Sequence, residues 1–205
     1  MGVKERRERE RTELRQGILL AARAIAVEEG WQAVTIRKVA EQIEYSPPTI
    51  YEYFENKDAI LFELEREGFR QLLAALQAAQ ASTSVSDVRL LNMALAYWEF
   101  AFNNPELYQV MNGIGGVPFC VSNDIPEANQ VFITVWEALE EYAHATDTLL
   151  HDPEDAVKIV WALLHGLVAL TMSEQIDGGR ERGAQLVERG MRALVSGWAG
   201  ERVTR

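Results

Sequence analysis

The sequence predicts an all-α protein, and three observations carry that prediction. Apolar residues recur at intervals of three and four through every long segment, as one face of a helix requires. No run alternates apolar and polar residues between turn signals as a half-buried strand would. Asn, Asp, Ser or Thr, often followed by proline or acids, punctuates the chain where helices would begin.

The elements follow in order. Residues 7–29 place Leu14, Ile18, Leu19, Ala22, Ile25 and Ala26 at helical spacing, with Gly30 as a stop. Thr35 is placed to cap a short helix ending near Ile43. Ser46 is expected to cap the next, with Pro47 at its first position, where a missing N–H removes nothing. Asn56 caps a long helix from Lys57 to about Gln80. After a break at 82–86 a helix runs to about Asn103, and "NNPEL" restarts the chain at Asn104 and Pro105. Residues 113–123, "GIGGVPFCVSN", predict an irregular loop. Helices at about 125–147, 153–176 and 180–198 complete a count of nine. Asp152, Pro153 and the acids after them mark the second of these as a helix start.

Apolar residues make up 48% of the chain and charged ones 25%, which suits a protein with a real core. The single cysteine, Cys120, excludes an internal disulfide and fits a reducing compartment. The amino-terminal end is charge-dense, so no signal peptide is expected there. The longest apolar stretch, Ile159 to Met172, is interrupted by His165 and reads as too short to span a bilayer. A cytoplasmic protein without a membrane partner is the expectation.

A net charge of −11 argues against nucleic acid for the chain as a whole, but the distribution does not. Residues 1–60 carry 10 Lys/Arg against 11 Asp/Glu, whereas 61–205 carry 10 against 20. Phosphates would repel the acidic body, so any DNA contact must come through the amino-terminal part. There, Ile50 and Phe54 fall one turn apart on one face of the segment "PPTIYEYF", able to bury against Val39, Ala40 and Ile43 across the turn "EYS". Pro48, Thr49 and Glu52 lie opposite, flanked by Tyr51 and Tyr53. Two short helices joined in this way form a helix-turn-helix, whose second helix enters the DNA major groove.

The stretch "VTIRKVAEQIEYSPPTIYEYFENKDAI" (34–60) resembles the DNA-binding domain of the tetracycline-repressor (TetR) family of transcriptional regulators. The shared features are a Thr opening the second helix, the pair Val39-Ala40, the Thr-Ile-Tyr-x-Tyr-Phe core and Asn-Lys-Asp heading the fourth helix. "VWALLHGLVAL" (160–170) further resembles a Trp…His-Gly motif of one group of its C-terminal domains. The resemblance implies a three-helix DNA-binding domain at 1–56 and a larger ligand-binding and dimerisation domain at 57–205. It implies that Thr35, Arg37 and Lys57 contact phosphates, and that Ser46, Pro47, Pro48 and Thr49 lie at the groove. Tyr51 and Tyr53 would offer hydroxyls to phosphates or base edges. Glu44 departs from the family's usual glycine, and Glu52 sets a carboxylate at the groove. That carboxylate either accepts from a cytosine amino group or penalises wrong sequences by repulsion. The tail "KERRERERTELR" is expected to add one or two phosphate contacts at most.

The same resemblance implies a homodimer through about 153–198, palindromic operator DNA as partner, and release by a small, largely hydrophobic effector. Residues 159–172 are apolar on every face and should be covered all round. Trp98, Phe102, Tyr108, Met111, Phe119, Trp136 and His165 are the candidate effector contacts, each also readable as ordinary core. No cofactor, bound metal or catalytic residue is expected: the three histidines lie far apart without a nucleophile partner. A metal sensor using Glu140, Glu141, His144, Asp147 and His151, or a helical protein-interaction module without DNA binding, are the rival readings.

Overall fold

The computed structural model describes residues 2–117, 125–150 and 152–200, which hold nine α-helices and no strand. They are α1 (Val3–Glu29), α2 (Ile36–Gln42), α3 (Pro47–Tyr51), α4 (Lys57–Ala81) and α5 (Ser86–Asn103), then α6 (Pro105–Asn112), α7 (Pro126–Thr146), α8 (Pro153–Met172) and α9 (Gly179–Gly200). A single 3-10 turn, Trp31–Ala33, joins α1 to α2 and has no counterpart in the sequence reading. The chain divides into two compact units, Met1–Gly68 with Asn104–Asn123, and Phe69–Asn103 with Asp124–Arg205. The division falls inside α4 rather than at its start, and α6 belongs to the first unit.

The first unit is built on α1. Ile18, Ala22 and Ile25 are buried there together with Trp31, Val34, Val39, Ala40, Ile50 and Phe54. The helix ends where Gly30 takes φ 83, a conformation open to glycine at little steric cost. Two contacts explain why α6 belongs to this unit. The Arg23 guanidinium donates from Nε to the buried Glu106 carboxylate at 3.0 Å. On α4, Gly68 leaves room for Met111, because a Cβ there would overlap the thioether.

The second unit is a bundle in which α5 packs on α7, α8 and α9, and α8 packs on α7 and α9. Trp98, Ala101, Leu139, Val168, Val187 and Met191 form its centre. Gly183 lets α9 approach α5 closely: a Cβ there would lie 2.6 Å from Trp98 Cζ2 and 2.7 Å from Thr171 Oγ1. Arg180 adds a polar tie, donating to Asn103 Oδ1 at 2.9 Å and lying 5.3 Å above the Phe102 ring.

One chain alone leaves part of α8 open, and the helix ends earlier than the sequence predicts. The chain does not cover this helix all round, since Ile159, Trp161 and Leu170 are 46%, 50% and 42% exposed. Counted whole, α8 has 20 residues with a mean hydropathy of 1.5 in its most apolar window, enough by length and composition to cross a membrane. Its boundary also falls short of residue 176, because Glu174 turns into the left-handed region at φ 58 and Gln175 N–H bonds back to the Leu170 carbonyl.

Candidate nucleic-acid interface

Three backbone starts fix this surface. Thr35 caps α2, its hydroxyl oxygen accepting from Lys38 N–H at 3.2 Å. Asn56 caps α4 by accepting from Ala59 N–H at 2.9 Å. At α3 the expected Ser46 side-chain cap does not form. Pro48, at the second helical position, has no N–H to give, and Thr49 N–H is already bound to the Ser46 carbonyl at 3.0 Å. The Ser46 hydroxyl pairs instead with Thr49 Oγ1 at 3.0 Å. The turn before α3 passes through Glu44 at φ 59, a left-handed conformation that costs a non-glycine residue ~1–2 kcal/mol.

Burial then orients α3. Ile50 and Phe54 are 0% and 3% exposed, so this face is committed to the unit's own core. Pro47, Pro48, Tyr51 and Glu52 face outward, while Thr49 and Tyr53 are partly exposed. Arg37 is free to leave its present partner, because its Nε–Glu41 contact of 2.9 Å joins side chains that are 84% and 62% exposed. Lys38 pairs with Glu29. Lys57 is placed differently from a solvated anion clamp: its ammonium donates to the Trp31 carbonyl at 2.7 Å. Burial lowers its pKa below the usual lysine value, against the opposing pull of Asp58. An ammonium has three donors, so two remain for an anion at the start of α4.

The tail that the sequence reading expected to add one or two phosphate contacts lies beside the segment around α3, a placement that reading did not give. Arg7, Glu10, Arg11 and Leu14 of α1 face Tyr45, Glu52 and Tyr53 across an open cleft of about 540 Å³. The Arg11 guanidinium lies 5.9 Å above the Tyr53 ring, and that of Arg15 lies 4.9 Å above Phe54. The signal was present: the stripe Ile18, Leu14 continued back at helical spacing lands on Arg11 and Arg7.

The effector candidates are distributed over both units. Trp98 is fully buried in the second unit, its ring centroid 4.5 Å from that of Phe102, and its Nε1 has no hydrogen-bond partner. Trp136 on α7 and His165 on α8 are half-buried, with His165 held below its ordinary pKa by desolvation. Tyr108 and Met111 are buried in the first unit, and Phe119 lies outside the described residues. Of the rival metal set, His151 also lies outside them, and Glu141 is paired with Arg89. Among the described residues no three His, Cys, Asp or Glu side chains group closely enough to hold an ion.

Comparison with known proteins identifies the family of the two parts of the chain. Residues 18–64 match the model described as "Bacterial regulatory proteins, tetR family". Residues 90–194 match "Tetracyclin repressor-like, C-terminal domain", without specific support for the Trp…His-Gly group. An uncharacterised HTH-type transcriptional regulator of Bacillus subtilis, YobS, is 27% identical over 163 residues, 78% of this chain and 80% of that protein. A Rhodococcus sp. RHA1 protein of unknown function superposes with a TM-score of 0.79 at 24% identity, covering 91% of this chain and 95% of that one. PfmR, a TetR family regulator from Thermus thermophilus, shares the fold at a TM-score of 0.66 and 16% identity, over 92% and 99% of the two chains.

Proposed function

Since the chain belongs to the tetracycline-repressor family of bacterial regulatory proteins, and so is a DNA-binding transcriptional regulator, we propose that it is a cytoplasmic, homodimeric repressor released from its operator by a small, largely hydrophobic effector. The observation that carries the DNA side is the split in α3: Ile50 and Phe54 are buried while Pro47, Pro48 and Tyr51 face outward. On this reading Pro48 meets a thymine methyl and Tyr51 a base edge or phosphate. Thr35, Arg37 and Lys57 hold the backbone, each at or near a helix start whose N–H groups favour anions. The chain works as a regulator without chemistry of its own.

One α3 reads too few base pairs for a unique site, so two copies must present a pair of them to a palindrome. The open side of α8, with Ile159, Trp161 and Leu170, supplies an apolar face for the second copy, continued by Leu194, Val195 and Trp198 of α9. The effector is placed in the second unit, near Trp98, Phe102, Trp136 and His165. An oxygen of the ligand would accept from the unpartnered Trp98 N–H, which a buried site otherwise leaves unsatisfied at a cost of ~1–3 kcal/mol. Release follows by linkage: an effector that prefers the state poor in DNA affinity weakens the operator by its differential binding.

The test is selection of bound fragments from genomic DNA, then titration of the recovered site. Arg37→Gln is expected to weaken binding on the order of 10-fold across all sequences, and Thr49→Ala to change which sequences are preferred. A protein that retains no duplex at low salt would favour the interaction-module reading instead.

A further inference from the structure

The first turns of α9 are held less firmly than the rest of the second unit. Between Gly179 and Leu186 only Gly183 is buried, and it has no side chain to interdigitate, whereas Val187 and Met191 beyond it are 0% and 2% exposed. The side-chain ties that fasten these turns to α5 are polar and wet. Arg180 pairs with Glu99 and donates to Asn103 Oδ1 at 2.9 Å, and its guanidinium lies 5.3 Å above the Phe102 ring. The Arg180 and Glu99 side chains are 44% and 56% exposed, so solvent competes for that pair. Just before them Gly178 at φ 88 and Gly179 at φ 56 are consecutive left-handed positions, which glycine takes at little steric cost.

Behind this segment lies the Trp98 indole. Its Cζ2 edge meets Gly183, and Cζ2 shares a ring-carbon neighbour with Nε1, a donor without a partner in a fully buried side chain. Thr171 Oγ1 stands at the same point, its own proton given to the Leu167 carbonyl at 2.8 Å.

We propose that the first turns of α9 are a door on the effector site, latched by Arg180, and that the effector it admits is a neutral carbonyl compound on an apolar frame. The door serves the effector site inferred above and rests on that reading. An indole N–H donates and never accepts, so the ligand must bring the acceptor. Of Trp98 and Thr171, only the indole has a proton to offer. A carboxylate would enter as a buried charge, while the door's cation, Arg180, is engaged outside by Glu99 and Asn103. A ketone, ester or amide oxygen satisfies the indole without that cost. The ligand's apolar part then lies against Phe102, whose ring centroid is 4.5 Å from that of Trp98.

The tests use the full-length protein with isotope-labelled tryptophan. Hydrogen exchange of the indole N–H groups reads the door without any ligand. Arg180→Gln is expected to speed exchange at Trp98 roughly 10-fold, while Trp31, buried and unpartnered in the first unit, keeps its rate. Equal acceleration at both indoles, or an unchanged rate at Trp98, overturns the door whether or not the effector reading holds. Acetophenone, ethylbenzene and benzoate, similar in size, read the site. Acetophenone should move the Trp98 N–H resonance and bind on the order of 10-fold more tightly than ethylbenzene. Benzoate that binds as tightly as acetophenone overturns the neutral class. Trp98→Phe should erase the preference for acetophenone; if that variant does not fold, the Trp98 resonance of the wild type decides. Acetophenone that moves the Trp136 resonance and leaves Trp98 in place overturns this seat and keeps an effector site in the unit. No movement of any indole at millimolar acetophenone overturns both.

Discussion

Glu65 on α4 is 4% exposed and makes no ion pair among the described residues. Desolvation raises its pKa from 4.5 to about 7. The folded state thus holds a proton that the unfolded chain has released, and stability must fall as pH rises between those two values. Glu65→Gln, which mimics the protonated form, should flatten that part of the curve and gain roughly 1–3 kcal/mol at pH 8. Urea titrations of both proteins at pH 5 and pH 8 check this; parallel losses would remove the claim. Such residues mark where the sequence stops being informative. Thr35, Asn56 and Asp152 were legible as caps because their partners lie within three positions. Ser46 looked the same and is not one, since the cap needs an N–H that Pro48 lacks. Lys57 bonds to a carbonyl 26 positions away and Arg23 to a carboxylate 83 positions away, distances over which composition carries no signal.

At the scale of elements, starts were more legible than ends. Helices announce their beginnings with short polar side chains and proline, but α7 and α8 end through Asp147 at φ 54 and Glu174 at φ 58, where glycine would have given notice. The 3-10 turn at Trp31–Ala33 is too short to leave a period, yet it buries an indole and supplies the carbonyl that holds Lys57. Helix crossings were equally silent. Gly183 looks like a defect inside α9, and alanine there should gain ~1 kcal/mol by propensity alone. The added methyl would instead strike a rigid, fully buried Trp98 ring, so Gly183→Ala should destabilise the second unit by about 1–3 kcal/mol net. Thermal unfolding reads the sign directly; a more stable variant would show that α5 and α9 can part freely. The arginines of α1 illustrate the opposite failure. The sequence reading gave their stretch one or two phosphate contacts at most, and only the fold shows that Arg7 and Arg11 face Tyr45, Glu52 and Tyr53 across one cleft.

For the whole molecule, the fold class and DNA-reading end were legible because the buried and outward faces of α3 are written in a few local residues. The second unit was not legible in the same way, since its open surface shows only once the helices are packed. Gly166 on α8 and Gly197 on α9 have nothing within 4 Å of an added Cβ, so no close approach inside one chain explains them. On the dimer reading, Ile159→Asp should convert the protein to monomers at micromolar concentration, keep its helical content and lower operator affinity at least 10-fold. Sedimentation equilibrium decides, and a wild type that is already monomeric would end that reading. The buried tryptophans lend themselves to following such changes. Trp31 and Trp98, one in each unit, are 1% and 0% exposed and donate to nothing, whereas Trp136, Trp161 and Trp198 are partly or openly wet. Their emission should be blue-shifted and sheltered from iodide until the surrounding helices open. With the three wetter indoles replaced by phenylalanine, either remaining fluorophore would report the melting of its own half, and two midpoints would reveal whether the halves unfold together.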